Sequence, residues 1–274
     1  MVQRSRTYWA ERSKVWAANT VAGRAEDDTF NQMIIAEAGI APGEVVLDIA
    51  SGTGNPAVSI ASSVPGLGSI TCTDLTPRML DTAAQRARNL GISVMRFAAA
   101  DMAALPFAGN TFDCTTCRFG LMFPDDKVAA VGEAMRVLKP KGRAAYLVWG
   151  AYDENPAFHV PRRVVAAFFS EDEGQVADRH SMSAPGTIAG ILQDAGFVGI
   201  EERELRYKRR VDDPVNYVTS GLKRSFAAKV EGLAAAEFDT LKEAVLDAWA
   251  PLMDGGVLFV PNYARLGLGW KQAT

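Results

Sequence analysis

The chain reads as an α/β protein built on a doubly wound, mostly parallel sheet, and three features predict it. An apolar run at residues 45–50 leads into the turn Ser51-Gly52-Thr53-Gly54, strands and amphipathic helices then alternate as far as Gly150, and carboxylates end three successive strands at Asp48, Asp74 and Asp101. Regular strand–helix alternation favours parallel pairing through right-handed crossovers. Strand, glycine turn and helix N-terminus together form a crevice at the carboxyl edge of such a sheet, the usual ligand side.

The elements follow in order. The run around Asp48 reads as a strand covered on both faces, with Gly52 and Gly54 permitting a tight turn and Pro56, capped by Asn55, opening a helix. Val64-Pro65-Gly66 breaks that helix, and residues 69–75 form a second strand ending at Asp74. Thr76 and Pro77 open the next helix, whose Met79, Leu80, Ala83, Ala84 and Ala87 share one face until Gly91. Residues 94–100 and 111–119 read as strands, and Asp125 or Asp126 caps a helix carrying Val128, Val131, Met135 and Leu138. Pro140-Lys141-Gly142 turns the chain into a fifth strand at 143–149. Past Gly150 the rhythm changes: residues 151–184 are irregular and partly helical, 188–195 helical, 197–211 a long strand, 212–250 helical, and 257–268 a final strand. The core is placed at 41–150, with cap insertions at 151–184 and 212–250 standing over the ligand edge, all within one domain.

Bulk properties narrow the function. With 274 residues, 48% hydrophobic and 22% charged, the chain supports a substantial core and is not disordered. Lys+Arg 29 against Asp+Glu 32 leaves a net charge of -3, which offers nucleic acid or an anionic membrane no general attraction. No segment has the apolar length of a membrane span, and the N-terminus lacks a signal-peptide core. Three cysteines fit a reducing, cytoplasmic setting. Cys114 and Cys117 have C-x-x-C spacing, but on a strand they face opposite ways, so they are core thiols and no metal site is expected.

The three carboxylates carry the chemistry. Asp74 lies twenty residues after Gly54, where a doubly wound fold places an acid on a ribose diol; a nicotinamide dinucleotide would satisfy that spacing too. Asp48 separates the two readings. A pyrophosphate turn has no use for a carboxylate just before its glycines, whereas a cationic amino-acid head group does. The chain also lacks a Tyr-x-x-x-Lys pair to deliver a proton beside a hydride. A nicotinamide-dependent oxidoreductase and a binding protein without transferase activity are the alternatives.

Val46-Leu47-Asp48-Ile49-Ala50-Ser51-Gly52-Thr53-Gly54 resembles the first motif of class I S-adenosylmethionine-dependent methyltransferases. Residues 99–107, Thr111-Phe112-Asp113 and residues 133–143 are similar to the motifs of the quinone-biosynthesis C-methyltransferase-like branch, which includes many small-molecule O- and N-methyltransferases. The resemblance covers residues 30–150 well and the rest only in layout. It implies a Rossmann-like sheet of seven strands with a final antiparallel strand, and S-adenosyl-L-methionine as cofactor with S-adenosyl-L-homocysteine as product. It further implies that Asp48, Ala50, Ser51, Gly52, Thr53 and Gly54 surround the methionine moiety. Asp74, Leu75 and Met79 would serve the ribose and adenine, Ala100, Asp101 and Met102 the adenine, and Arg118-Phe119 would close the pocket below the sulfonium. An N-terminal helical lid over 1–40, carrying Tyr8, Trp9 and Trp16, would fold over the cofactor. Lys141 departs from a usual glycine, and Arg118-Phe119-Gly120-Leu121-Met122 lacks the Pro-Pro signature of base methylation.

The expected acceptor is a small planar or lipophilic molecule, with O, C and N all open as the acceptor atom, bound by a monomer or homodimer. Phe158, His159, Phe168 and Phe169 in the first insertion offer an aromatic wall with one polar group. His159 is the candidate general base.

Overall fold

The computed structural model describes residues 28–273. It contains one sheet of eight strands in the order β3-β2-β1-β4-β5-β8-β6, with β7 paired to β8. Chain order is α1 (Thr29–Ala38), β1 (Val45–Ile49), α2 (Ala57–Ser63), β2 (Ser69–Asp74), α3 (Pro77–Asn89), β3 (Met95–Ala99), β4 (Phe112–Arg118), α4 (Lys127–Val137) and β5 (Leu138–Trp149). It continues through α5 (Pro156–Phe168), α6 (Thr187–Asp194), β6 (Val198–Val211), α7 (Pro214–Ser225), α8 (Ala227–Val230), α9 (Ala235–Ala248), β7 (Met253–Asp254) and β8 (Val257–Trp270). The first five strands pair in parallel, and β7 pairs antiparallel with β8. The sheet is therefore doubly wound and mixed, as the sequence predicts, with two-residue β7 as the strand it does not reveal.

Strand order reverses between β1 and β4, the switch point of the topology. Their register sets Asp48 opposite Thr116. Val46, Leu47 and Ile49 are buried, as a strand covered on both faces requires. Asp113 fixes the entry to this pair, since one carboxylate accepts from the Val45 N–H at 2.8 Å and from Lys139 Nζ at 2.8 Å. Arg143 fastens the end of α1 by donating to both carboxylate oxygens of Glu44 at 2.8 Å and to the backbone oxygens of Ala38 and Gly39.

Local signals are mostly obeyed. Asp126 caps α4 by accepting from Ala129 N–H at 2.8 Å. Thr76 occupies the N-cap of α3 without a side-chain bond; Asp74 Oδ1 takes the Thr76 N–H at 2.8 Å instead. Asn55 does not cap α2, which starts at Ala57 with Pro56 in the cap position. β5 begins at Leu138 rather than 143, because Pro140-Lys141-Gly142 is a bulge inside the strand: Phe112 pairs with Leu138, and the register shifts before Cys114 pairs with Arg143.

The chain forms two compact units. Among the described residues, one comprises 28–149, 181–205 and 265–273; the other comprises 150–180 and 206–264. In the first, Leu47, Ile49, Cys117, Leu121, Val131, Leu138 and Val148 belong to one buried cluster. In the second, α9 packs on α5 and α7 around Val165, Leu222, Leu241, Val245 and Trp249. Among the described residues no helix is long and apolar enough to cross a membrane.

Gly120, just past β4, lets the chain pass close to the turn after β1. A Cβ there would lie 2.5 Å from Ala50 Cβ and 2.8 Å from Cys117 Sγ, and Ala50 itself is held at φ 55. Gly120→Ala should cost about 2 kcal/mol in urea unfolding, the range for overpacking a tight core. Adding Ala50→Gly should return much of that loss, a coupling that a double-mutant cycle measures.

Candidate functional site

Two groups of residues gather at the carboxyl ends of β1, β2 and β3. The first surrounds Asp48. Its side chain has no exposed surface, and Oδ1 accepts from the Thr116 hydroxyl at 2.7 Å. Oδ2 is buried with no hydrogen-bond partner among the described residues. Burial raises its pKa to about 7, against smaller lowering effects from neighbouring hydroxyl and backbone donors and from the Arg118 charge. A cationic group arriving at Oδ2 would repay that desolvation and hold the carboxylate ionised.

The turn after Asp48 is fixed from several sides. Ser51 Oγ donates to Asp48 O at 2.8 Å, and Ser51 N donates to Thr73 O at 2.8 Å. Gly52 has φ 53, and a Cβ added there would meet no atom within 4 Å, so the space beside it is open. Its N–H donates to Asp74 Oδ2 at 2.9 Å. Gly54 serves a different need: at φ 100, an added Cβ would lie 3.0 Å from Val58 Cγ2 and 3.3 Å from Ala83 Cβ, so it permits close packing against α2 and α3. Arg86 of α3 holds the turn from outside by donating to Thr53 O at 2.6 Å.

Asp74 therefore spends one lone pair of each oxygen on backbone donors, Thr76 N–H and Gly52 N–H. A carboxylate has about four acceptor sites, so capacity for a diol remains. Burial raises its pKa while these two donors oppose the shift.

The second group lines a cavity of about 470 Å3, with Leu75, Thr76, Ala99, Ala100, Asp101 and Pro106 in its wall. Asp101 Oδ1 accepts from Ala103 N–H at 3.0 Å. The loop carrying Pro106 is clamped from α4: Glu133 accepts from Leu105 N–H at 2.8 Å, and Arg136 donates to Leu105 O at 2.9 Å and Phe107 O at 2.7 Å. Met79 is buried on α3, and Met102 packs against the core of the first unit; neither lines the cavity.

Arg118 and Phe119 turn to α1. Arg118 pairs with Asp28 at 2.6 Å, and Asp28 also caps α1 through the Phe30 N–H. Phe119, at φ 57, stacks on Trp149 with ring centroids 4.0 Å apart, and Phe30 meets both rings edge-on. Tyr8, Trp9 and Trp16 lie outside the described residues, as does most of the expected lid.

In the second unit, His159 sits on α5 edge-on to Tyr152 at 5.9 Å, and burial lowers its pKa. Phe168 and Phe169 pack on that unit's core. Of the four residues of the expected aromatic wall, Phe158 lines a cavity, in company with His180. Thr116, Arg86, Glu133 and Arg136 are the positioning residues that sequence reasoning did not single out. Only the i, i+3 spacing of Glu133 and Arg136 gave any local signal.

The comparisons with known proteins identify the chain as an S-adenosylmethionine-dependent methyltransferase and name its family. The model of the ubiE/COQ5 methyltransferase family matches residues 14–164, and the chain belongs to that family. It is 34% identical over 180 residues to the ubiquinone/menaquinone biosynthesis C-methyltransferase UbiE of Klebsiella pneumoniae, covering 61% of this chain and 71% of that one. The Escherichia coli UbiE is 34% identical over 176 residues, covering 60% and 70%. Among solved structures, the YcgJ protein of Bacillus subtilis superposes with a TM-score of 0.56 at 20% identity, covering 88% of this chain and 97% of that one, a likeness of fold.

Asp48→Asn separates the cost of the buried charge from its use. A folded pKa above the unfolded value means the native state binds the extra proton, so wild-type stability falls as pH rises from about 4 to about 7. The Asn variant should match wild type near pH 4 in urea unfolding and gain over it up to pH 7, with the gap constant above.

Proposed function

We propose that the chain methylates a small planar or lipophilic molecule, holding its S-adenosylmethionine along the carboxyl edge of β1, β2 and β3. The observation that carries this reading is Asp48, a fully buried carboxylate with one oxygen unpartnered among the described residues, in the strand that leads into the turn where Gly52 leaves open space. Burying such a group without a partner costs several kcal/mol, and a bound ammonium supplies the missing partner. A pyrophosphate would place like charge against it, which argues against a nicotinamide dinucleotide.

In this reading Asp48 and the turn Ala50-Ser51-Gly52-Thr53-Gly54 hold the methionine end. Asp74 accepts from the ribose hydroxyls with the lone pairs its backbone donors leave over. Leu75 and Ala100 flank the adenine, Asp101 accepts from its amino group, and Met79 and Met102 support these walls from behind. Phe119 and Arg118 border the methionine end. The cofactor supplies an electrophilic methyl on a sulfonium. Transfer neutralises charge, so the protein's work is alignment and exclusion of water rather than strong acid or base catalysis. The curated relatives are named as C-methyltransferases, which puts carbon beside oxygen and nitrogen among the acceptor atoms to try. Buried free thiols at Cys72, Cys114 and Cys117 fit a cytoplasmic protein, and the charge balance speaks against nucleic acid as acceptor. A monomer or a homodimer is the expected assembly.

Isothermal titration tests the reading. S-adenosylmethionine should bind at one site per chain and NAD should not; binding of NAD alone would overturn it, and so would failure to add 14 mass units to any phenol, quinol or amine in a panel while the cofactor binds. Asp74→Ala should weaken cofactor binding by about 1.5–3 kcal/mol, the range for a charged hydrogen bond, with the fold intact. Unchanged affinity would leave Asp74 a turn-stabilising residue only.

A further inference from the structure

The second unit contains a cavity of about 270 Å3 that the cofactor does not need. Its wall is aromatic, with Phe158, Tyr217, Phe226 and Trp249, and three arginines border it, Arg162, Arg179 and Arg224, with no carboxylate among its lining residues. Arg179 lies over the Phe158 ring at 5.0 Å, and Arg162 is steered by donating to Glu173 O at 2.7 Å. The charged side chains of its lining are all cationic, and its aromatic walls suit a flat apolar body.

Three lining residues carry unmet hydrogen-bonding capacity among the described residues. Trp249 is 2% exposed, and its indole Nε1 has no partner. His180 is 6% exposed; its Nδ1 meets Gly150 O at 2.9 Å, while Nε2 is buried with no partner among the described residues. The Tyr152 hydroxyl is the third. Since a carbonyl can only accept, Nδ1 carries the proton and Nε2 of the neutral ring offers a lone pair. Burial and the neighbouring Arg179 both lower the pKa of His180, which keeps that ring neutral. An indole donor, an imidazole acceptor and a phenol hydroxyl left over in the walls of one cavity are costly together unless a ligand uses them.

We propose that this cavity is a binding site for a planar aromatic anion bearing a hydroxyl. The indole N–H of Trp249 and the bordering arginines take the anionic group, and His180 Nε2 accepts from the hydroxyl. His180 rather than His159 is then the histidine that positions this ligand.

Two fluorescent probes, 6-hydroxy-2-naphthoate and 2-naphthoate, test it by direct binding to the full chain, with S-adenosylmethionine titrated separately. Wild type should bind both saturably, the hydroxylated probe about 5–10-fold more tightly, the worth of one buried hydrogen bond. Trp249→Phe should weaken both about 5-fold. His180→Phe should abolish the preference between them, and each variant should keep wild-type affinity for S-adenosylmethionine. The wild-type preference needs no variant to fold. Equal affinity for the two probes, or no saturable binding, with S-adenosylmethionine still bound, overturns the proposal alone. Naphthoate binding with that preference but without S-adenosylmethionine binding supports this site and overturns the methyltransferase reading alone.

Discussion

A carboxylate with no exposed surface ends β1, and the chain arranges itself around keeping it there. Asp48 lies at the switch point of the sheet, its Oδ1 taken by Thr116 across the β1–β4 pair and its Oδ2 left without a partner among the described residues. Burial alone would drive such a group to take a proton, and a pKa of about 7 shows how far the site goes in that direction. A structure that pays this penalty within its most buried strand keeps it for a use. The neighbouring features follow: Gly52 leaves open space in the turn after β1, Ser51 fixes the backbone that carries the carboxylate, and Gly120 lets the β4 end approach Ala50.

The second carboxylate solves a different problem. Asp74 takes the N–H of Gly52 from one side and of Thr76 from the other, so it joins the turn after β1 to the start of α3. Its structural and ligand roles are compatible, because a carboxylate can accept more bonds than these two. Glu133 and Arg136 act one step further out, holding residues 105–107 and through them the wall that faces Asp101. Site geometry here is built largely by side chains that bond backbone groups.

Much of the first unit was legible because its signals are local. The apolar run to Asp48, the cap at Asp126 and the Met79–Ala87 face each announce an element within a few residues, and their alternation implies the parallel order. Thr116 was not legible, since it stands 68 residues from Asp48 and only strand register brings them together. The bulge at Pro140-Lys141-Gly142 reads as a turn because its backbone is turn-like, with Lys141 at φ 66, although pairing continues on both sides. The second unit was read least well. Its helices pack on one another across long sequence gaps, α9 on α5 and α7, so sequence identified an aromatic insertion but not that Phe158 lines its cavity with His180 rather than with His159.

Proton linkage tests the central claim most directly. At pH 6 Asp48 is mostly protonated in the free protein, whereas the ammonium of S-adenosylmethionine requires it ionised, so binding must expel a proton. Calorimetric titration at pH 6 in two buffers of different ionisation enthalpy should show release of close to one proton per cofactor bound by wild type and none by Asp48→Asn, with the wild-type release fading by pH 8. Identical proton counts for the two proteins at pH 6 would contradict the account.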